Sequence, residues 1–323
     1  MKRHLIILAT AAAAFASAAP GLAAPLDRKD VAADPALLFH LDCDALRNSA
    51  VGQSILNGPE VQDKLAALGA LIDFDLRKQL HGLTVYTTMG HPKDGALILY
   101  ADFDPNRLIT LAKGAENFQC VTNGAHVIYS WVDEKKKGRG GAPPRVYGAL
   151  LGHRVVFGQE QSHLAAALDV IEGSAPNFSG NKALPDPAAG ESPLIQGIIL
   201  KFDFDSPDPN AAIFKMSKSA RLQLSEMGSN LAVAVHFEAA NEETATQIGA
   251  IAQGVVALLK LQQADANALK LANAIVVKQD GPTVGLTLSL PSSEVIDMIK
   301  DGQAKAAQRR APRASPPPEN STN

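Results

Sequence analysis

Residues 37–44 read LLFHLDCD, and residues 198–205 read IILKFDFD. Both stretches carry three apolar residues, a basic one, an apolar one, and then Asp, apolar, Asp. An apolar run that ends in turn-forming residues is typical of a buried strand that leads into a turn or a helix cap. The match predicts two related halves, about 30–173 and 192–302, each beginning with such a strand. It also pairs His40 with Lys201 at a solvent-facing position, and Cys43 with Phe204 at a core-facing one.

Outward from these two strands, hydrophobic periodicity predicts the remaining elements. In the first half it predicts a strand at 36–43, helices at 44–56 and 59–80, strands at 82–89 and 95–103, a helix from Asp104 to about 114, strands at 118–122, 125–132, 145–151 and 154–158, and a helix at 160–172. In the second half it predicts a strand at 195–204, a helix near 209–226, a strand at 230–239, helices at 242–262 and on to 271, strands at 273–279 and 283–290, and a helix at 292–301. Several strand pairs have hairpin-length turns, which favours an α+β fold: a mostly antiparallel sheet with helices packed on one face, in two related halves.

Composition divides the chain into five segments. They are a signal peptide at 1–23, half one at 24–173, a linker at 174–193, half two at 194–302 and a disordered tail at 303–323. The linker is rich in Pro, Gly, Ser and Asn, and the tail contains Pro316-Pro317-Pro318 among Arg and Ser. Such compositions are typical of connections and of disordered ends.

The first two dozen residues have the three parts of a secretory signal peptide. Lys2 and Arg3 precede an apolar run over 5–19, and small residues then allow cleavage between Ala23 and Ala24. We therefore expect a periplasmic or secreted protein. The alternative is an uncleaved anchor, although the run is shorter than the ~20 residues of a bilayer span.

Composition also limits the partners. The chain is 46% hydrophobic, 20% charged and only 5% aromatic, with a net charge of −3. A soluble folded protein fits these values, whereas a nucleic-acid binder would need basic and aromatic surface. No stretch after the leader reaches 18 unbroken apolar residues, so no membrane span is predicted in the mature chain.

The two cysteines, Cys43 and Cys120, allow one disulfide in an oxidising compartment. The alternative, which we prefer, is two buried thiols that act as small hydrophobic side chains.

Four Asp-x-Asp pairs are the strongest candidates for a metal site: Asp42/Asp44, Asp73/Asp75, Asp102/Asp104 and Asp203/Asp205. Two carboxylates on one face of a strand suit Ca²⁺ or Mg²⁺. Asp is also a frequent helix cap, and we favour that reading because no EF-hand spacing is present.

No motif identifies a reactive centre. The histidines lack metal-ligand spacing, Ser179-x-x-Lys182 lies in the linker, and no phosphate-binding glycine loop occurs. The basic loop 133–145 is read as a solvated hairpin loop, with contact to an anionic partner as the alternative. The sequence therefore assigns no catalytic, cofactor-binding or metal-binding residue, and predicts no cofactor.

Residues 152–158, GHRVVFG, lead into residues 159–168, QEQSHLAAAL. This arrangement resembles a feature of uncharacterised exported bacterial proteins, in which such a hairpin strand precedes a helix. The stretch LLFHLD after Asp34-Pro35 is similar to their first strand. The resemblance covers about 30–302 and implies an exported protein with a duplicated α+β domain, and it implies no catalytic residue.

Three functional hypotheses follow. The leading one is an exported, non-catalytic protein that binds or scaffolds a partner, such as an envelope protein. The alternatives are a periplasmic hydrolase whose site is assembled only in three dimensions, and a carrier of an apolar ligand held between sheet and helices. A cleft with a perturbed carboxylate or histidine would favour the hydrolase, and an open apolar cavity the carrier.

Overall fold

A computed structural model of the protein describes residues 25–72, 74–133, 143–188, 191–202, 212–261 and 266–310. Several predicted features lie wholly or mostly outside these residues, among them the leader with its cleavage site between Ala23 and Ala24, the basic loop at 134–142, and the pair Asp203/Asp205.

The described residues form one twelve-stranded sheet in which every neighbouring pair is antiparallel. Its spatial order is β11-β12-β10-β9-β8-β1-β2-β3-β7-β6-β5-β4. The strands are β1 (Leu37–Asp42), β2 (Leu80–Thr87), β3 (Gly95–Ala101), β4 (Gln119–Asn123), β5 (His126–Val132), β6 (Arg145–Leu151), β7 (Arg154–Gly158), β8 (Pro193–Ile199), β9 (Ser217–Met227), β10 (Asn230–Ala239), β11 (Ile275–Asp280) and β12 (Thr283–Pro291).

Ten α-helices accompany the sheet in the described ranges. They are α1 (Cys43–Asn48), α2 (Ala50–Leu56), α3 (Pro59–Ile72), α4 (Leu76–Gln79), α5 (Pro105–Lys113), α6 (Gln161–Ile171), α7 (Ala212–Met216), α8 (Glu242–Leu261), α9 (Ala266–Ala274) and α10 (Ser292–Arg310). The predicted α+β class with a mostly antiparallel sheet is confirmed.

The strands β1 and β8 pair at the centre of the sheet, with Leu37 opposite Ile199 and Leu41 opposite Ile195. Outward from β1 the order is β1-β2-β3-β7-β6, and outward from β8 it is β8-β9-β10-β12-β11. Both sides thus place a hairpin next to the central strand and then a second hairpin whose later strand lies inward. The hairpin β4–β5 is additional on the first side.

Helices lie on both faces of the sheet, so the predicted packing on one face is wrong. Ile98 and Val156 are buried in a core with Leu164 and Leu168 of α6. Their neighbour Leu99 points to the opposite face, because side chains alternate along a strand. That opposite face carries α5, and we call it the α5 face.

The helix α8 also lies on the α5 face. A row of cross-strand partners runs from Leu99 through Leu83, Leu41 and Ile195 to Leu224. On β9, Ala220 shares the face of Leu224 and packs in a second core with Ile248 of α8.

One predicted element is wrong in kind, because most of the helix expected near 209–226 is the strand β9. Only Ala212–Met216 is helical there. The stretch that follows alternates Ala220, Leu222 and Leu224 with Arg221 and Gln223. Alternation with period two is a strand pattern, and it outweighs the helix propensity of Ala and Leu.

Two boundaries also differ from prediction. The strand β8 ends at Ile199 rather than 204, so the matched stretches 37–44 and 198–205 do not occupy the same part of their strands. The helix α10 continues through Gly302 to Arg310, so residues 303–310 of the predicted disordered tail are helical. Residues 311–323 lie outside the described part of the chain.

Described residues of the predicted linker, 174–193, pack on the first core. Phe178 and Leu184 are fully buried there. Phe178 N donates to Val31 O at 2.8 Å, and Ala32 forms a β-bridge with Asn177.

Candidate functional site

An open apolar cavity lies between α5 and the α5 face of the sheet. Its volume is about 580 Å³, within the ~300–1,000 Å³ of small-molecule sites. Among the described residues, no charged side chain lines it. The lining residues are Phe74, Leu76, Leu80, Leu99, Ala101, Phe103, Leu108, Ile109, Leu111, Ala112, Ala115, Tyr129, Trp131, Gly148, Ala149, Leu150, Val155 and Phe157.

The floor of the cavity follows from strand alternation. Leu99 and Ala101 of β3, and Tyr129 and Trp131 of β5, are two residues apart and so share the α5 face. The Trp131 ring meets the Phe157 ring edge to face, with 6.3 Å between the ring centres.

A glycine in the floor makes room for these two rings. A Cβ at Gly148 would lie 3.3 Å from the Phe157 ring and 3.4 Å from Trp131. Because Gly148 has no side chain, the rings of Phe157 and Trp131 occupy the space beside it in the floor.

The roof is α5, a short amphipathic helix. Asp104 caps its N-terminus by accepting from Asn106 N at 2.9 Å, and Pro105 occupies the first helical position. Leu108, Ile109 and Ala112 face the cavity, yet no residue of α5 is buried, and Leu111 is 42% exposed. The apolar side of this helix thus covers open space rather than packed side chains.

The same face is filled in the second half. Ala245 and Ile248 of α8 are fully buried against Ala220, Phe237 and Val284. The rings of Phe214 and Phe237 also meet there, with centres 5.6 Å apart. On this face, α8 packs tightly against the strands of the second half, whereas α5 leaves a cavity over the strands of the first half.

Both ends of the roof are tied down by polar contacts. At the start, Asp102 N donates to Gln79 O at 2.9 Å, and Gln79 Nε2 donates to Asp102 O at 3.1 Å. At the end, Val132 N donates to Glu116 O at 3.0 Å, and Arg145 Nη1 donates to Asn117 O at 3.1 Å. The segment 102–117 therefore spans the cavity as a strap held at two points.

A histidine between two carboxylates lies at the first of these points. His81 Nδ1 is 3.0 Å from Asp44 Oδ2, and its Nε2 is 2.9 Å from Asp102 Oδ2. Arg47 also pairs with Asp44, and the exposed His153 lies 3.5 Å from Asp102 Oδ1. His81 is the extra residue of a β-bulge between Leu80 and Gly82, which turns its ring towards both acids.

This cluster positions the strap and is poorly suited to act as a general base. Both ring nitrogens of His81 face carboxylates, so neither is available to a nucleophile. Within the described ranges, no group of three His, Cys, Asp or Glu side chains could hold a metal ion. Asp102 lies between Ala101 and Phe103, which both line the cavity.

One member of each described Asp-x-Asp pair caps a helix, whereas Asp44 and Asp102 contact His81 instead. Asp42 caps α1 by accepting from Ala45 N at 2.8 Å, Asp75 caps α4, and Asp104 caps α5. The preferred cap reading is confirmed for these three. Asp73 lies outside the described residues.

The predicted solvent-facing position of His40 is wrong. His40 is 1% exposed, and its Nδ1 lies 2.9 Å from Thr84 Oγ1. Nearby, Tyr100 Oη and Arg154 Nε donate to the buried Asp30 Oδ2 at 3.0 and 2.6 Å. His40 and Asp30 are therefore buried polar groups that have hydrogen-bond partners on this face.

Both cysteines are free thiols, as preferred, but they are not equally buried. Cys43 is half-buried in α1, whereas Cys120 is exposed on β4 and is not the core residue that was expected. Burial raises the pKa of the Cys43 thiol to about 11.

Sequence reasoning reached the idea of an apolar carrier without naming a lining residue. The available signal was the set of aromatic residues on one face of successive strands: Tyr129 and Trp131 on β5, and Phe157 on β7. It was missed because the cavity is assembled by pairing β5, β6 and β7 with β3 and by α5 closing over them.

Among the described helices, α8 alone has the length and apolar composition of a membrane span. It packs on the sheet through Ala245, Ile248 and Ala252, while Ile251, Val255, Leu258 and Leu261 on its outer side are exposed.

No protein-family model matches this sequence, and no curated protein sequence matches it. The fold is similar to crystal form III of TP0453, a Treponema protein, with a TM-score of 0.45, 9% identity, and coverage of 86% of this chain and 99% of that one. Crystal form I of the same protein gives a TM-score of 0.41 at 8% identity, covering 86% and 98%. Crystal form IV gives 0.42 at 7% identity, covering 85% and 97%. No functional conclusion rests on these similarities.

Proposed function

We propose that this protein is an exported, non-catalytic protein of the cell envelope that carries an apolar ligand in the cavity beneath α5. The observation that carries the proposal is the lining itself. Five aromatic side chains and a set of aliphatic ones converge on about 580 Å³ of open space with no charge among them. Exposed apolar surface of this kind is costly in water, and a ligand removes that cost.

The lining also indicates which ligand fits. Among the described lining side chains, only those of Tyr129 and Trp131 carry a polar atom, so the enclosed part of the ligand is uncharged hydrocarbon. Any polar group of the ligand stays at the mouth in water. A lipid-like molecule with one apolar end meets both conditions.

Export rests on the leader, with its basic start, apolar run and small residues before Ala24. The shared strand order on the two sides of β1–β8 supports a duplicated origin of the halves. In this proposal one copy kept a packed core under its helix and the other opened a binding site. An envelope partner that delivers or receives the ligand completes the role.

The hydrolase alternative draws least support from the site. The histidine that follows the cavity-lining Leu80, His81, is held between Asp44 and Asp102. The thiol of Cys43, next to Asp44, has its pKa raised to about 11 by burial and is not a thiolate at neutral pH.

A fluorescent probe tests the proposal. Phenylnaphthylamine, which is uncharged and apolar, is titrated into the purified protein, and the quenching of Trp131, the only tryptophan, reports its arrival. We expect saturable binding of one probe per chain. Absence of saturable binding, or binding without a change in Trp131 emission, contradicts the proposal.

Two variants of α5 locate the bound probe. Ala112→Phe fills the cavity and should weaken binding by at least about tenfold, equivalent to about 1.4 kcal/mol. Thr110→Phe places the same side chain on the exposed side of the same helix and should leave binding unchanged. Equal effects of the two substitutions would place the probe elsewhere.

A further inference from the structure

The strand β4 forms one edge of the sheet, and its outer side is paired with no other described strand. All five of its residues, Gln119–Asn123, are exposed, and Val121 is 42% exposed. The outward backbone N–H and C=O groups of an edge strand are a template for another strand.

In the part of the chain that the structure describes, the edge β4 lacks the usual protection against such pairing. Its sequence, Gln-Cys-Val-Thr-Asn, contains no charge and no proline. The opposite edge, β11, carries Lys278 and Asp280 and packs against α8. Charges and a covering helix are the common devices that keep an edge strand from pairing, and the described residues place them at one end of the sheet only.

We propose that two copies of this protein associate by antiparallel pairing of β4 with β4 about a twofold axis at Val121. In this register the five residues are complementary to themselves. Gln119 lies opposite Asn123 of the second copy, so two amides meet. Cys120 lies opposite Thr122, and Val121 lies opposite its own counterpart. A chemically palindromic strand favours a second copy over an unrelated protein.

The proposed register predicts how far apart the Cα atoms of particular residues lie across the joint between the two copies. Residues directly opposite in an antiparallel pair have Cα atoms about 4.5–5.5 Å apart, which a disulfide can span. The two Val121 positions are in this relation. The two Cys120 positions are diagonal, at about 7–8 Å or more, which is beyond the usual reach of a disulfide. Cys120 therefore lies close to the twofold axis, but it is too far from Cys120 of the second copy to form a disulfide.

Engineered cysteines test the register. Val121→Cys is made in a Cys120→Ser background and oxidised in air, and the mass is measured without reductant. We expect a covalent dimer from this variant and none from the native protein. Val127→Cys in the same background is the matched control, because Val127 is 43% exposed on the neighbouring strand β5 and has no counterpart across the axis.

Light scattering after gel filtration tests the association itself. The native protein is expected to elute as a dimer. Val121→Lys places like charges opposite each other and should convert the dimer to a monomer, whereas Val127→Lys should not. Far-UV circular dichroism verifies that both variants are folded.

Three results would overturn the proposal. The first is a native protein that is monomeric up to the highest soluble concentration. The second is a dimer that survives Val121→Lys. The third is a dimer in which Val121→Cys and Val127→Cys cross-link equally.

Discussion

At the scale of single residues, the ion pair between Asp30 and Arg154 sets the clearest electrostatic condition on stability. Asp30 is 1% exposed, and burial raises the pKa of its carboxyl although Arg154 lowers it. Folding therefore holds this proton more tightly than the unfolded chain does. The stability linked to it is present below the unfolded pKa, near 3.8, and is lost as the pH rises through the folded value.

Removing the arginine should make this loss visible. Arg154→Met leaves Asp30 buried without its cation, so we expect the free energy of unfolding to fall by about 2–3 kcal/mol at pH 7. This is below the ~3–5 kcal/mol of a fully buried pair, because Arg154 is 30% exposed. Urea unfolding at pH 4 and pH 7 measures the effect, which should be smaller at the lower pH, because burial raises the pKa of Asp30 and a protonated carboxyl no longer needs a cation.

The double variant Asp30→Asn/Arg154→Met is the control for this charge effect. It has no carboxyl to titrate at position 30. Its loss in free energy of unfolding relative to the native protein should therefore not increase from pH 4 to pH 7 as the loss for Arg154→Met does. A penalty for Arg154→Met that is the same at both values would contradict the assignment.

The two thiols should differ in reactivity. Cys120 is exposed, whereas the Cys43 thiol is half-buried with its pKa raised to about 11. We expect Ellman's reagent at pH 8 to react with one thiol per folded chain and with two after unfolding in urea. No reaction before addition of a reductant would instead indicate a disulfide, and mass spectrometry of the modified peptide identifies which cysteine reacted.

At the scale of elements, two glycines in helices should respond oppositely to the same substitution. In α2, a Cβ on Gly52 would overlap the carbonyl oxygen of Leu46, so Gly52→Ala should destabilise the protein by about 1–3 kcal/mol through overpacking. In α8, a Cβ on Gly254 would meet nothing within 4 Å, so Gly254→Ala should stabilise it by about 0.4–1 kcal/mol. Thermal unfolding compares them, and a gain in stability from both would show that helix propensity alone decides.

Most elements were predictable because their signals are local. Four hairpins close over two residues, and each turn begins with a glycine at positive φ: Gly124, Gly152, Gly228 and Gly281. Such turns favour glycine for steric reasons, and they mark strand ends in the sequence. The strand β9 was missed because Ala, Leu and Gln also have high helix propensity. Its alternation of apolar and polar residues favours a strand only when neighbouring strands are present to pair with it.

At the scale of the whole molecule, one sheet joins two cores. The first core contains Leu38 and Ile98, the second Phe237 and Ile248, and the pairing of β1 with β8 connects the strands beneath them. We therefore expect the two sides to unfold together. The sequence predicted two halves but did not reveal how they join, because β8 pairs with β1 through backbone groups that every strand possesses.

A distant core substitution tests this coupling. Ile248→Ala should lower the free energy of unfolding by about 2–4 kcal/mol. Trp131 lies in the first half, far from Ile248 in the second core. If the two halves unfold together, Trp131 fluorescence should report the same shift in the urea midpoint as far-UV circular dichroism. A fluorescence transition that stays in place while the dichroism transition moves would mean that the sides unfold independently.

The site was less predictable than the fold, for a physical reason. A cavity is defined by side chains that are missing, and Gly148, Ala101 and Ala112 look in a sequence like ordinary small residues. The roof α5 was predicted as a helix from Asp104, but its amphipathic pattern does not say whether the apolar side meets side chains or open space. Only the placement of seven separate strands and helices (α4, β2, β3, α5, β5, β6 and β7) distinguishes the two.

The central pairing also has a kinetic consequence. The four glycine hairpins can form within their own short stretches, whereas β1 and β8 are separated by about half of the chain and must find each other late. Until they do, each half presents a bare apolar strand that can join any other nascent sheet. We expect refolding to be limited by this one encounter, and a newly made chain to depend on a chaperone that shields β1 while the rest of the polypeptide arrives.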